Sequence, residues 1–228
     1  MCLVFIPATP FRSFAVNLPH MSFEFLDPGP LIDRELELVV PEARWVDELL
    51  RTCAHPAGKS DPTARTTRQQ VEDFLSAAPG GHFIRDTMDG SVPQYLFWMR
   101  LRPVPGSVEG PAFVPPVVIA GSIGLRIGDT EDLRMYLGHM GYNVYPAARG
   151  HHYAERACRL LLPFANRHGL KEIWITCNPE NTASRRTCER LGAVFVDTIR
   201  LPSNHLLHQR GERQKCRYRI DLSIAAGK

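Results

Sequence analysis

From Asn143 to Leu170 the chain reads NVYPAARGHHYAERACRLLLPFANRHGL, an extended run that passes through a tight turn into a long helix. A helix start leaves several backbone N–H groups without intrahelical acceptors, and the peptide dipoles add positive character there. Such a junction can hold a phosphate-bearing ligand on main-chain donors. Arg149 adds a cation, Gly150 lets the backbone turn and approach the ligand, and Ala154 leaves room at the helix start. Any strand-to-helix junction shares this outline, so the turn alone supports two readings, an anion cradle and plain architecture. His152 sharpens the question, because it stands where a turn of this kind favours glycine.

Other residues with chemical potential are scattered. The nine histidines show no metal-ligand spacing, so no metal is expected. The six cysteines, Cys2, Cys53, Cys158, Cys177, Cys188 and Cys216, contain no CxxC pair, and several fall in apolar periodic segments where a thiol packs as a small hydrophobe. They read as free thiols in a reducing, cytoplasmic compartment. A formal charge of +3, from 27 basic and 24 acidic residues, is too balanced for nucleic-acid binding and compatible with a small anionic ligand. No apolar run approaches the roughly 18 residues of a spanning helix, so no membrane partner is expected. The opening MCLVFIPATPFRSFAVNLPH lacks a basic start and is broken by prolines, which argues against a cleaved signal, and MSFEF at Met21 reads as a second start. The expected division is an N-terminal extension over residues 1–33, poorly structured at its start, and one domain over 34–228.

The elements that must position the turn follow from periodicity. Over residues 34–41, RELELVVP sets Leu36, Leu38 and Val40 on one face of a first strand. Pro41 opens a helix with Trp45, Leu49 and Leu50 at helical spacing, and TRQQVEDFLSAA gives a second through Val71, Phe74 and Leu75. Residues 94–103 and 117–128 are β-rich runs on either side of a Pro/Gly-rich loop over 103–116, and 137–146 reads as a fourth strand despite its glycines. The helix after it carries Ala154, Ala157, Cys158, Leu161 and Ala165 on one stripe, with a kink expected at Pro163 and Gly169 as C-cap. Residues 171–178 form a buried fifth strand, NPENTASRRTCERLG a fourth helix ending at Gly192, and AVFVDTIRLP and KCRYRIDLS two closing strands. This order predicts an α+β layered domain with a partly parallel centre.

Two stretches carry a resemblance. Arg149, His152 and Ala154 fall at the spacing of the Arg/Gln-x-x-Gly-x-Gly/Ala signature of the GNAT acyltransferase superfamily, and YPAARGHHYAERA resembles its P..RGKGYA form. NPENTASRRTCERLGA resembles that superfamily's N..A...YEKLGF element, with Asn181, Ser184 and Gly192 in step. AGSIGLRIG, GHMGY and ITCNPENTAS are similar to a subgroup of predicted acetyltransferases, and the likeness runs from about Leu36 to Leu222. The resemblance implies a mixed, mostly antiparallel central sheet whose fourth and fifth strands splay apart, with helices on both faces. It also implies acetyl-CoA as co-substrate, lying in the gap. Tyr142, Asn143, Val144 and Tyr145 would line the pantetheine and acetyl group. Arg149, Gly150, His151, His152, Tyr153 and Ala154 would cradle the pyrophosphate, while Asn181 and Ser184 face the arm from the other side.

The implied reaction is direct acetyl transfer to a primary amine, with a small-molecule acceptor placed ahead of a protein amino group. It needs a base for the amine proton, donors for the developing oxyanion and a proton for the departing thiolate. His139 lies close to where some family members keep a glutamate, and imidazole acidity near ~6.5 suits the base. Cys188 stands where many members place a proton-donating tyrosine, and Tyr145 and water are its rivals; as one apolar-facing residue of a helix, Cys188 also suits the core. Arg126 is a candidate contact for an acidic group on the acceptor, Glu131 a second substrate contact or a solvated loop charge, and the loop over 103–116 one wall of the acceptor pocket. For His152 the expectation is right-handed helical geometry that tolerates its side chain. A non-catalytic acyl-CoA-binding module is the alternative reading, suggested by His152 and the missing tyrosine. Monomer and homodimer both fit.

Overall fold

The computed structural model describes residues 23–58, 61, 66–102 and 118–223. The readings made for residues 1–20 and for the loop over 103–116 fall outside them.

β2 (Leu36–Val39) follows the short β1 (Ile32–Asp33) and buries Leu36 and Leu38, as the alternation requires. It pairs antiparallel with the second half of β4 (Gly90–Leu101), whose first half pairs with β3 (His82–Thr87). β2 and β3 therefore share one edge of β4. β5 (Ile119–Arg126) runs along the other edge, and β6 (Met140–Val144) extends the sheet beyond it. The sequence pattern starts β4 at residue 94 and misses β3. Pro93, which has no amide to donate, sits in mid-strand opposite Ile84 and interrupts the periodicity. Its carbonyl is nonetheless used, accepting from Ile127 N–H at 2.8 Å.

Alternation along β4 sends Tyr95, Phe97 and Met99 to one face and Leu96 and Trp98 to the other. α3 (Tyr153–Arg167) covers the first face with the whole predicted stripe plus Phe164; the helix continues past Pro163, and Gly169 follows it at a φ of 80°. α1 (Val46–Cys53) and α2 (Arg68–Ala77) cover the second face through Val46, Leu49, Cys53, Val71 and Phe74. A helical turn at Ala43–Trp45 precedes α1, which therefore begins at Val46 and not at Pro41. α2 is fixed by a reciprocal cap in which Thr67 accepts from Gln70 N–H and the Gln70 side chain accepts from Thr67 N–H. Phe23, Phe25 and Leu26 pack on the main core, so from residue 23 onward the expected extension rests on the domain.

A second sheet has the order β7-β9-β8, built from β7 (Glu172–Cys177), β8 (Val194–Arg200) and β9 (Gln214–Asp221). α4 (Thr182–Arg190) joins β7 to β8, and the short α5 (Leu206–Gln209) lies between β8 and β9. Leu137 belongs to a π-helical turn (Leu133–Leu137), so the fourth strand of the sequence reading begins only at Met140, after Gly138 at a φ of 71°. That strand is β6 and the fifth is β7. They meet at their beginnings, where His139 N–H donates to Trp174 O at 2.7 Å, and beyond that point each pairs with a different neighbour. The fold is α+β, mostly antiparallel, with helices on both faces and a splay between these two strands.

Candidate active site

At its start β6 is fastened to β7 by a side chain. His139 is 1% exposed; its Nδ1 accepts from Trp174 N–H at 3.0 Å, which leaves Nε2 to donate to Gly128 O at 3.0 Å. Burial pushes its pKa down, and the Gly128 carbonyl opposes this more weakly. Both ring nitrogens are spent on backbone, so the geometry gives His139 a structural post in place of the base role expected of it. Arg126 is buried beside it and donates through Nη1 to the carbonyls of Gly138 (2.9 Å) and Leu137 (3.2 Å), at the end of the π-helical turn. Glu131 is exposed on a turn whose amide is held by the Asp89 carboxylate at 2.6 Å. Neither residue lies at the other end of β6, where the turn into α3 stands, and the acceptor contacts expected of them find no support there.

At that other end the last residues of β6, the start of α3 and the face of α4 line a cavity of about 580 Å³. Tyr142, Asn143, Val144, Arg149, Gly150, His152, Tyr153, Ala154, Asn181 and Ser184 line it, so the geometry brings most of the expected cofactor contacts together. Asp61, Ala183, Arg186, Thr187 and Arg190 also line it and were missed. Four of these repeat along one face of α4 at helical spacing, a signal present in the sequence. Asp61 carries no such signal; it is brought in by the turn at Pro56–Gly58 lying against Pro146, close enough that a Cβ on Gly58 would stand 3.1 Å from the ring.

Three expected contacts fall elsewhere. Tyr145 follows the last residue of β6, at the entry to the turn over Pro146–Ala148, and is buried against α1, where it is hydrogen-bonded to Cys53. Burial pushes the Tyr145 phenol well above its ordinary range and the Cys53 thiol up to about 11. Cys188 is fully buried in the main core and lines no part of the cavity, which removes it as a proton donor. His151 is exposed and stacks on Tyr153 at 5.6 Å.

The turn itself has the form of an anion cradle. No side chain caps α3, and the amides of Tyr153, Ala154 and Glu155 precede the first bond of the helix ladder, which Arg156 makes to His152 O at 3.1 Å. Gly150 takes a φ of 94°, and His152 sits at φ 59°, ψ 22°, in the left-handed region. The expected right-handed geometry is therefore not adopted. The histidine instead takes up the backbone shape that glycine would supply, at a cost of about 1–2 kcal/mol, and its side chain is exposed. Arg149 donates from Nε to Val144 O (3.0 Å) and pairs through Nη2 with Asp61 (2.6 Å). Across the gap, Asn181 caps α4 by accepting from Ser184 N–H (3.0 Å), and the hydroxyls of Tyr142 and Ser184 lie 2.9 Å apart. The arrangement offers main-chain donors and a cation at one end of the cavity, and amide and hydroxyl groups at the other. It suits an elongated ligand with an anionic head and a neutral arm.

The acetyltransferase (GNAT) domain family model matches residues 38–194, from β2 to the first residue of β8. No curated protein matches the chain by sequence. Among solved structures, a microcin self-immunity acetyltransferase in complex with acetyl-CoA and AMP is 13% identical with a TM-score of 0.55, covering 83% of this chain and 93% of its own. A putative ribosomal-protein-serine acetyltransferase from Vibrio cholerae is 15% identical with a TM-score of 0.56, covering 86% and 99%. A ribosomal alpha-N-protein acetyltransferase in complex with coenzyme A is 12% identical with a TM-score of 0.56, covering 84% and 97%. At such identities the likeness establishes the fold. No described helix is long and apolar enough to cross a membrane. Since the family match takes in the uncapped start of α3, the splay and the whole of α4, the chain belongs to the GNAT acetyltransferases, enzymes whose acyl donor is acetyl-CoA.

Proposed function

We propose that the enzyme transfers the acetyl group directly to a primary amine, with a small-molecule amine ahead of a protein amino group. The observation that carries this reading is that one cavity joins the uncapped start of α3 to the Tyr142–Ser184 hydroxyl pair. In it, the amides from Gly150 to Ala154 hold the pyrophosphate together with Arg149, and Tyr142, Asn143, Val144 and Asn181 flank the pantetheine arm. The amine nitrogen bonds to the thioester carbonyl carbon, the carbon–sulfur bond breaks, and the sulfur takes a proton. With His139 committed to backbone and Cys188 in the core, that proton is assigned to the Tyr142–Ser184 pair, two hydroxyls close enough to pass a proton between them. The proton of the attacking amine leaves to water.

The test is release of free CoA over a panel of small primary amines and one peptide with a free amino terminus, for the wild type and Ser184→Ala. Turnover with at least one small amine is expected, together with a roughly 10- to 100-fold lower kcat in the variant while acetyl-CoA binding is kept. Turnover on the peptide alone moves the acceptor to protein. Binding without turnover on any acceptor overturns the transfer reading.

A further inference from the structure

The cavity holds more positive charge than the start of α3 accounts for, and the excess comes from α4. Arg186 and Arg190 stand one helical turn apart and both line the cavity. Arg190 donates from Nε to Glu155 Oε2 at 2.9 Å, and Arg159 pairs with the other oxygen of the same carboxylate at 3.1 Å. Two guanidinium groups thus share one carboxylate, which keeps a net positive charge at the seam between α3 and α4. Arg186 is exposed and makes no ion pair among the described residues, whereas Arg149 is already engaged by Asp61.

We propose that Arg186 and Arg190 form a phosphomonoester subsite that binds the 3′-phosphate of coenzyme A, so that this enzyme distinguishes acetyl-CoA from acetyl-dephospho-CoA. The proposal rests on the reading above, in which the pyrophosphate lies at the start of α3. A terminal phosphate carries a charge of about −1.5 to −2 at neutral pH and presents three acceptor oxygens, which suits the fork of a guanidinium. Main-chain amides and one arginine serve the pyrophosphate. A phosphate beyond the reach of those amides needs side-chain cations, and α4 supplies two on the same wall. Because Arg190 is braced by Glu155 on the first turn of α3, it lies beside the turn that takes the rest of the anion.

Calorimetric titration of the wild type with acetyl-CoA and with acetyl-dephospho-CoA reads the subsite directly. The form without the 3′-phosphate is expected to bind roughly tenfold more weakly, or worse. In the double variant Arg186→Ala, Arg190→Ala, acetyl-CoA falls to the level of the dephospho form and the two ligands bind alike. Arg186→Ala alone, which breaks no described ion pair, shows part of that loss. Equal affinity of the wild type for the two ligands, or discrimination that survives in the double variant, overturns the subsite while acetyl-CoA binding stands. Failure of the wild type to bind either ligand overturns the reading on which the subsite rests.

Discussion

The two ends of β6 use polar residues in opposite ways. At the start, His139 and Arg126 are buried and their ring and guanidinium groups donate to, or accept from, the backbone of neighbouring segments. At the finish, the amides at the start of α3 have no helical acceptors, and Arg149, Asn181 and the Tyr142–Ser184 hydroxyls face a cavity. A strand that must part from its neighbour needs an anchor at the closed end, since an unanchored splay would simply open or close. Histidine at the closed end serves this purpose because its two nitrogens can satisfy one donor and one acceptor at once. A residue type suited to proton transfer therefore indicates chemistry only where one of its groups is left unspent.

The largest expected effect comes from the anchor. His139→Ala leaves the buried Trp174 N–H without its partner, removes the bond to the half-buried Gly128 O and opens a cavity, and should lower stability by roughly 2–4 kcal/mol in urea unfolding. Acetyl-CoA affinity of the folded protein should stay near that of the wild type. Unchanged stability with abolished turnover would break the comparison by placing chemistry at the closed end. A second effect follows from the same burial. The folded His139 pKa lies below the unfolded value near ~6.5, so on acidification the unfolded chain takes up a proton that the folded one resists. This contribution is fully present above about pH 6.5 and is lost as pH falls through the folded value. His82 and His168 are lowered by burial as well and act in the same direction, so His139→Ala should flatten the pH dependence only in part. Unfolding midpoints measured from pH 8 downward (on the order of one-unit steps) check the sign, and a midpoint that rises on acidification contradicts it. The smallest effect belongs to the open end. His152→Gly removes the strain of a left-handed side chain but adds freedom to the unfolded chain, for a net gain of up to about 1 kcal/mol, whereas His152→Val should lose stability. If the valine variant is the more stable of the two, the backbone at this turn is not left-handed in solution.

Much of the candidate site is legible in the sequence, and the parts that are not have identifiable reasons. Arg149, Gly150, Ala154, Asn181 and Ser184 sit at helix starts, where the chemistry of orphan amides and caps is local in sequence. Arg186 and Arg190 could have been placed from helical spacing, whereas Tyr145 lies past the last residue of β6 and is placed by its packing against α1. Asp61 could not, because its approach to Arg149 depends on how the chain after α1 lies against Pro146. The first residues of β4 were hidden by Pro93, which breaks the strand pattern although it sits in register opposite Ile84 of β3.

The sequence by itself determined the helix stripes, the strand faces, the uncapped turn and the resemblance to the GNAT superfamily, since each depends on residues within a few positions of one another. The tertiary structure decided which polar groups remained available. Whether His139 is a base or an anchor depends on a carbonyl from residue 128 and an amide from residue 174, which only the meeting of two sheets brings to its ring. His152 likewise adopts a left-handed backbone at the start of α3, although its residue type favours the right-handed region. Hydrogen-bond partners distant in sequence decide the function of a titratable side chain, and no local pattern encodes them.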